Sequence, residues 1–143
     1  MVVGIVGDVH EPFTHPKYFD FVQDVFNKMH VEEVVFIGDI ADNHALSYHE
    51  SDPDGYSAGE EVVATQRKLQ RWHKAFPNAS VTVGNHDILP ERKLFTLGLP
   101  KVLLKEYNQI WRVPSWNFVP ELDIEHVRYI HGMGASGLNG ARN

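Results

Sequence analysis

Three times in its first 90 residues the chain repeats one arrangement. A short apolar run stops at a glycine, and a residue able to bind a cation follows at once. The runs are Val2 to Gly7 before Asp8-Val9-His10, Val34 to Gly38 before Asp39, and Ala79 to Gly84 before Asn85-His86-Asp87. Runs this short and this unbroken read as buried strands of a parallel sheet. Helical patterns separate them. Phe19, Val22, Val25, Phe26 and Met29 share one face of a helix whose first turn suits Pro16. A second helix is predicted from Ser57 to Phe76, with Val62, Val63, Leu69, Trp72 and Phe76 as its inner face and Pro77-Asn78 as its stop. Alternation of this kind predicts an α/β sheet with right-handed crossovers.

The second half is less regular. Pro90 to Leu97 reads as a short helix, and Val102 to Trp111 as another helical turn or two. Trp116 to Val119 and Val127 to Ile130 read as strands, the latter running into His131-Gly132. Between Asp39 and the second helix the chain is polar, with a turn at Asp52-Pro53-Asp54-Gly55. The tail from Gly132 to Gly140 is glycine-rich. There is no internal repeat, low-complexity block or linker, so residues 1–143 are expected to form one domain.

Composition narrows the chemistry. With no cysteine, disulfides, thiolate zinc sites, iron–sulfur clusters and cysteine nucleophiles are excluded. Nine histidines stand beside 19 carboxylates, so a metal site here must use imidazole and oxygen ligands, the set that favours Mn, Fe, Zn, Ni or Mg. The net charge of -6 argues against a broad basic face for nucleic acid. No apolar run approaches the ~20 residues of a membrane helix, and Met1 to Ile5 lacks a basic leader, so the expected location is cytoplasmic. No G-x-x-x-x-G-K-[ST] loop is present, which argues against a nucleotide kinase or ATPase.

In open α/β sheets, ligands bind beyond the carboxyl ends of the strands. Asp8, His10, Asp39, Asn85, His86, Asp87 and His131 all fall there and are expected to converge. Asp8 and His10, two apart on an extended segment, would face the same side. Asp39 has two oxygens with which to bridge two cations, and Asn85 offers a neutral amide oxygen. Taken singly, each turn is an ordinary loop, and it is the joint pattern that points to a metal site. His44 and His49, in the loop after Asp39, are secondary candidates for lining it. His30 and His73 are placed at or near helix ends, where a histidine meets the dipole favourably.

The set Gly7-Asp8-Val9-His10, Gly38-Asp39, Gly84-Asn85-His86-Asp87 and His131-Gly132 resembles the first four motifs of the calcineurin-like metallophosphoesterases. The resemblance implies a four-layer α/β/β/α sandwich around a dinuclear centre of two divalent metal ions, typically Mn, Fe, Zn or Ni. It implies that Asp8 and His10 hold the first metal, that Asp39 bridges, and that Asn85 and His131 hold the second. His86 would be the non-ligand histidine beside the leaving group, with Asp87 holding its ring. The implied activity is hydrolysis of phosphate mono- or diesters by a metal-activated hydroxide. Two cations about 3.5–4 Å apart make a clamp suited to in-line displacement at phosphorus. The acidic balance favours a phosphoprotein or small phosphoester over nucleic acid.

The family's fifth motif, G-H-x-H, has no counterpart, since Gly132 to Asn143 contain no histidine. The expectation is therefore a fold incomplete at its C-terminus, each metal short of one protein ligand, and an unpaired sheet edge open to homo-oligomer formation. The alternative function is a weakly active or inactive binding or scaffold module of the same fold.

Overall fold

The computed structural model describes residues 1–132; the glycine-rich tail from Met133 onwards lies outside the described residues. Strands β1 (Val3–Val6), β2 (Glu33–Phe36), β3 (Ser80–Thr82) and β4 (Asn117–Val119) form one parallel sheet in the order β1-β2-β3-β4. Helix α1 (Tyr18–Met29) joins β1 to β2, and α2 (Ala58–Ala75) joins β2 to β3. Helices α3 (Leu89–Thr96) and α4 (Tyr107–Ile110) follow β3. Strands β5 (Leu122–Ile124) and β6 (Val127–Tyr129) pair antiparallel as a separate two-stranded sheet. The result is the mixed α/β fold with a parallel sheet that the strand–helix alternation predicts.

Val6, Phe36, Val81 and Phe118 lie in register across the four strands and share one face of the sheet. Val22 of α1 and Leu69 and Trp72 of α2 join the same core. Trp72 is fully buried, with the rings of Phe19, Phe36 and Tyr18 at 5.0, 5.7 and 5.7 Å. Ser57 caps α2 in a reciprocal box with Glu60, so the start of that helix is fixed by local chemistry.

Three expectations need correction. Val63 is 64 % exposed and Met29 60 % exposed, so neither belongs to an inner face. The buried stripe of α2 runs through Glu61, Ala64, Thr65, Leu69 and Trp72, and Val63 points away from it. The strand read into His131 is present as β6, but it belongs to the hairpin and not to the parallel sheet, whose fourth strand is β4. Strand β5 went unpredicted because Leu122-Asp123-Ile124 is short and its turn, Glu125-His126, contains no glycine. Glu125 supplies the left-handed backbone itself, at φ 54°.

Beyond the strand ends, two loops are fastened together. The amide of His10 donates to the Asp39 carbonyl at 2.8 Å, that of Glu11 to Ile40 at 2.9 Å, and that of Asp42 to Glu11 at 2.9 Å. Glu11 and Ala41 thus make an isolated parallel bridge. The Glu11 side chain is fully buried. Its Oε1 accepts from Arg71 Nη2 at 2.8 Å and Trp72 Nε1 at 3.0 Å, which ties α2 to the loop carrying His10. A carboxylate removed from water is tolerable only with such partners.

Trp72→Ala is expected to lower unfolding free energy by about 3–5 kcal/mol, whereas Val63→Ala should change it by no more than about 0.5 kcal/mol. Urea denaturation of the two variants measures this, and equal losses would place Val63 inside the core.

Candidate metal centre

The turns after β1 and β2 carry unusual backbone. Asp8, His10 and Asp39 adopt left-handed conformations, with φ 47°, 50° and 50°. Asp8 and His10 are therefore not on the extended segment expected of them. Successive left-handed turns bring them to the same place by another route. Ligand atoms of Asp8, His10 and Asp39 all lie within 4.8 Å of one another. Left-handed backbone at non-glycine residues is disfavoured and concentrates at functional sites.

Two glycines let the second half of the site close. A Cβ on Gly38, which sits at φ +86°, would stand 2.6 Å from His131 Nδ1, and a Cβ on Gly84 would collide with Asp39 Oδ1. Without side chains there, β2, β3 and the segment after β6 approach closely enough to meet. His131 Nε2 lies 3.2 Å from Asp39 Oδ2 and 2.8 Å from Asn85 Oδ1. Its Nδ1 donates to the Ile37 carbonyl at 2.7 Å. With Nδ1 so engaged, Nε2 is the nitrogen that faces the two oxygens. Such a convergence of acceptor atoms fits a cation, and the donor set of carboxylate, imidazole and amide oxygen suits a divalent one.

His10 is held in the same manner. Its Nδ1 donates to Asp42 Oδ1 at 2.7 Å, which leaves Nε2 facing Asp39 Oδ2 at 3.8 Å. A carboxylate behind an imidazole fixes the ring and its tautomer for a metal on the far nitrogen. The hydrogen bond to Asp42 raises the His10 pKa above its ordinary value. Burial opposes this, and the charges of Asp39, Asp42 and Asp8 add to it. Burial pushes the Asp42 carboxyl up, but the bond from His10 and the nearby histidines outweigh it, so Asp42 ends below the usual carboxylate range.

Asp42 is the residue that sequence reading missed. Besides His10 it serves His86, whose Nδ1 donates to the Asp42 carbonyl at 2.6 Å and stands 3.7 Å from Asp42 Oδ1. The rings of His10 and His86 meet edge to face at 4.7 Å. The signal available was a second carboxylate three residues after Asp39, one turn further along the same loop.

Asp87 is elsewhere than the resemblance implied. It is fully buried, and its carboxylate accepts from backbone amides. Oδ2 takes Asp39 N at 2.8 Å and Gly84 N at 2.8 Å, and Oδ1 takes Ile40 N at 3.1 Å and Ala41 N at 3.3 Å. Burial pushes its pKa up to about 6, opposed by the amide bonds and reinforced by Asp39. Asp87 fixes the Asp39 loop, and Asp42 has the place beside His86. His44 borders the site through a neighbouring cavity, while His49 is exposed. His30 is the left-handed C-cap of α1, and His73, in the last turn of α2, meets Ser115 Oγ at 2.7 Å.

Asp87→Ala should lower stability by about 3 kcal/mol or more, because it strips the acceptor from four buried amides. Loss of turnover with an unchanged unfolding midpoint would return Asp87 to the side of His86.

No curated protein and no solved structure matches the chain. A family model described as calcineurin-like phosphoesterase matches residues 1–140. That span contains every turn from which the site is built, and the chain belongs to the calcineurin-like phosphoesterase family.

Proposed function

We propose that the chain is a metal-dependent phosphoesterase acting on phosphate mono- or diesters, with small phosphoesters or phosphoproteins favoured over nucleic acid. The observation that carries this reading is the meeting of Asp39 with His10 on one side and with His131 and Asn85 on the other. In this reading Asp8, His10 and Asp39 hold one divalent ion, and Asp39, Asn85 and His131 hold a second. Manganese heads the candidates, with iron, zinc and nickel beside it, and the working location is cytoplasmic. When bound, the ions neutralise phosphate oxygens and acidify a water for attack at phosphorus.

The chain's own residues supply the rest. His86 is the proton donor to the departing oxygen. Its Nδ1 is committed to the Asp42 carbonyl, so Nε2 is the nitrogen that carries the proton. Asp42 orients two rings at once, His10 toward the ions and His86 toward the leaving group. The pairing of a ligand and an acid on one residue, His10 on its carboxylate and His86 on its main-chain carbonyl, fixes the distance between the metal side and the proton side of the reaction. The buried Asp87 keeps Asp39 in place during turnover.

Asp39→Ala should bind neither ion, since Asp39 is the shared ligand, and metal analysis of the purified variant reads this directly. Full metal stoichiometry would overturn the bridging assignment. His86→Ala should retain metal and lose about 10²–10⁴-fold in turnover. That loss should shrink for an aryl phosphate whose leaving group departs without a proton. Equal losses for good and poor leaving groups would remove His86 from the acid role.

A further inference from the structure

A cavity of about 710 Å³ opens beside the metal centre and shares Asp42 with it. That volume lies within the range of small-molecule pockets. One wall is aromatic. Phe13, three residues after His10, and Tyr56 are 53 % and 45 % exposed, with ring centroids 6.1 Å apart at 43°. A flat ring stacked between them would need about 7 Å, twice a van der Waals contact distance. The pair therefore forms a continuous wall, not a slot for a base. Five carboxylates, Asp42, Asp52, Asp54, Glu60 and Glu61, make up most of the remaining lining, with His44 and Ser51 beside them, and among the described residues no lysine or arginine borders it. Glu61 is buried in the wall, where its carboxylate accepts the amides of His44 and Ala45 at 2.7 Å each. Arg92 and Lys93 lie over the Tyr48 ring at 5.0 and 3.8 Å, and the Lys68 ammonium donates to the Pro12 carbonyl, so these three cations are engaged outside the lining.

An aromatic wall facing carboxylates is the environment in which an organic cation replaces its water with least loss. A polyanion meets repulsion there. We propose that this cavity seats the alcohol portion of the substrate, and that the enzyme prefers small phosphoesters whose alcohol carries a positive charge. The inference rests on the phosphoesterase reading and narrows it. The phosphate would lie against the ligand residues, His86 beside the bridging oxygen, and the cationic end beyond Asp42 against Tyr56 and Asp54.

The test compares two esters of the same shape on the metal-loaded full chain, phosphocholine and its uncharged isostere 3,3-dimethylbutyl phosphate. Phosphocholine should be favoured by about tenfold or more in kcat/KM. The ratio should fall toward one in Asp54→Asn and in Tyr56→Ala, both at exposed positions. Choline and 3,3-dimethylbutan-1-ol, titrated by NMR without any phosphate, read the pocket independently of turnover, and choline should bind more tightly by a similar factor. Equal kcat/KM for the two esters, or equal binding of the two alcohols, overturns the proposal. If p-nitrophenyl phosphate is hydrolysed and no preference for the cation appears, the pocket assignment alone fails. If choline is preferred over its isostere but no phosphoester is hydrolysed, the pocket stands and the phosphoesterase reading fails.

Discussion

One buried carboxylate holds the head of the sheet together. Asp87 leaves the end of β3 and reaches across to the loop after β2, where it takes the amides of Asp39, Ile40 and Ala41, while Gly84 of its own turn supplies the fourth. Three consecutive amides aimed at one side chain define the path of the backbone through Asp39. Everything at the site is placed relative to that path. Asp39 receives His10 from one direction and His131 from the other, and its Oδ1 accepts the amide of His86 at 2.8 Å. The neighbouring anion is also part of why the Asp87 carboxyl is pushed up, so a cation on Asp39 would relieve both groups together.

The parts legible in the sequence were those governed by local rules. Unbroken apolar runs ending in glycine marked β1, β2 and β3, and an apolar stripe with the Pro77-Asn78 stop marked α2. Site residues behind those strands were legible for the same reason, because a strand end is a fixed place in a parallel sheet. What escaped was set by tertiary contact. Asp42 has no mark of its own in the sequence, and its role follows from two histidines contributed by other turns. Asp87 follows His86 directly in the chain, which suggested partnership. Its side chain instead turns inward, because the amides of the β2 loop need an acceptor. Val63 looked apolar enough for the core, but the stripe of α2 is centred one residue further on.

The energetics of the site run against the backbone and with the side chains. Left-handed conformations at Asp8, His10 and Asp39 each disfavour the fold, by roughly 1 kcal/mol for an L-residue. They persist because the surroundings overdetermine them. The amide of His10 is committed to Asp39, the amide of Asp39 to Asp87, and the phenol of Tyr18 to the Gly7 carbonyl at 2.8 Å. The strained residues that face the centre thus rest on backbone amides that are each hydrogen-bonded.

The bridge between Glu11 and Ala41 makes the two ligand-bearing loops behave as one piece. A body of that kind does not breathe to suit its guest. Any difference in size among ions seated there must be absorbed by groups outside it, and the exposed side chains of Asp8 and Asn85 are the ones with room to adjust. In the proposed centre one side of a coordination sphere would be a fixed template and the other a movable arm. Selectivity for ionic radius would be weak in such an arrangement, and the supply of metals in the surroundings would decide which ion is bound.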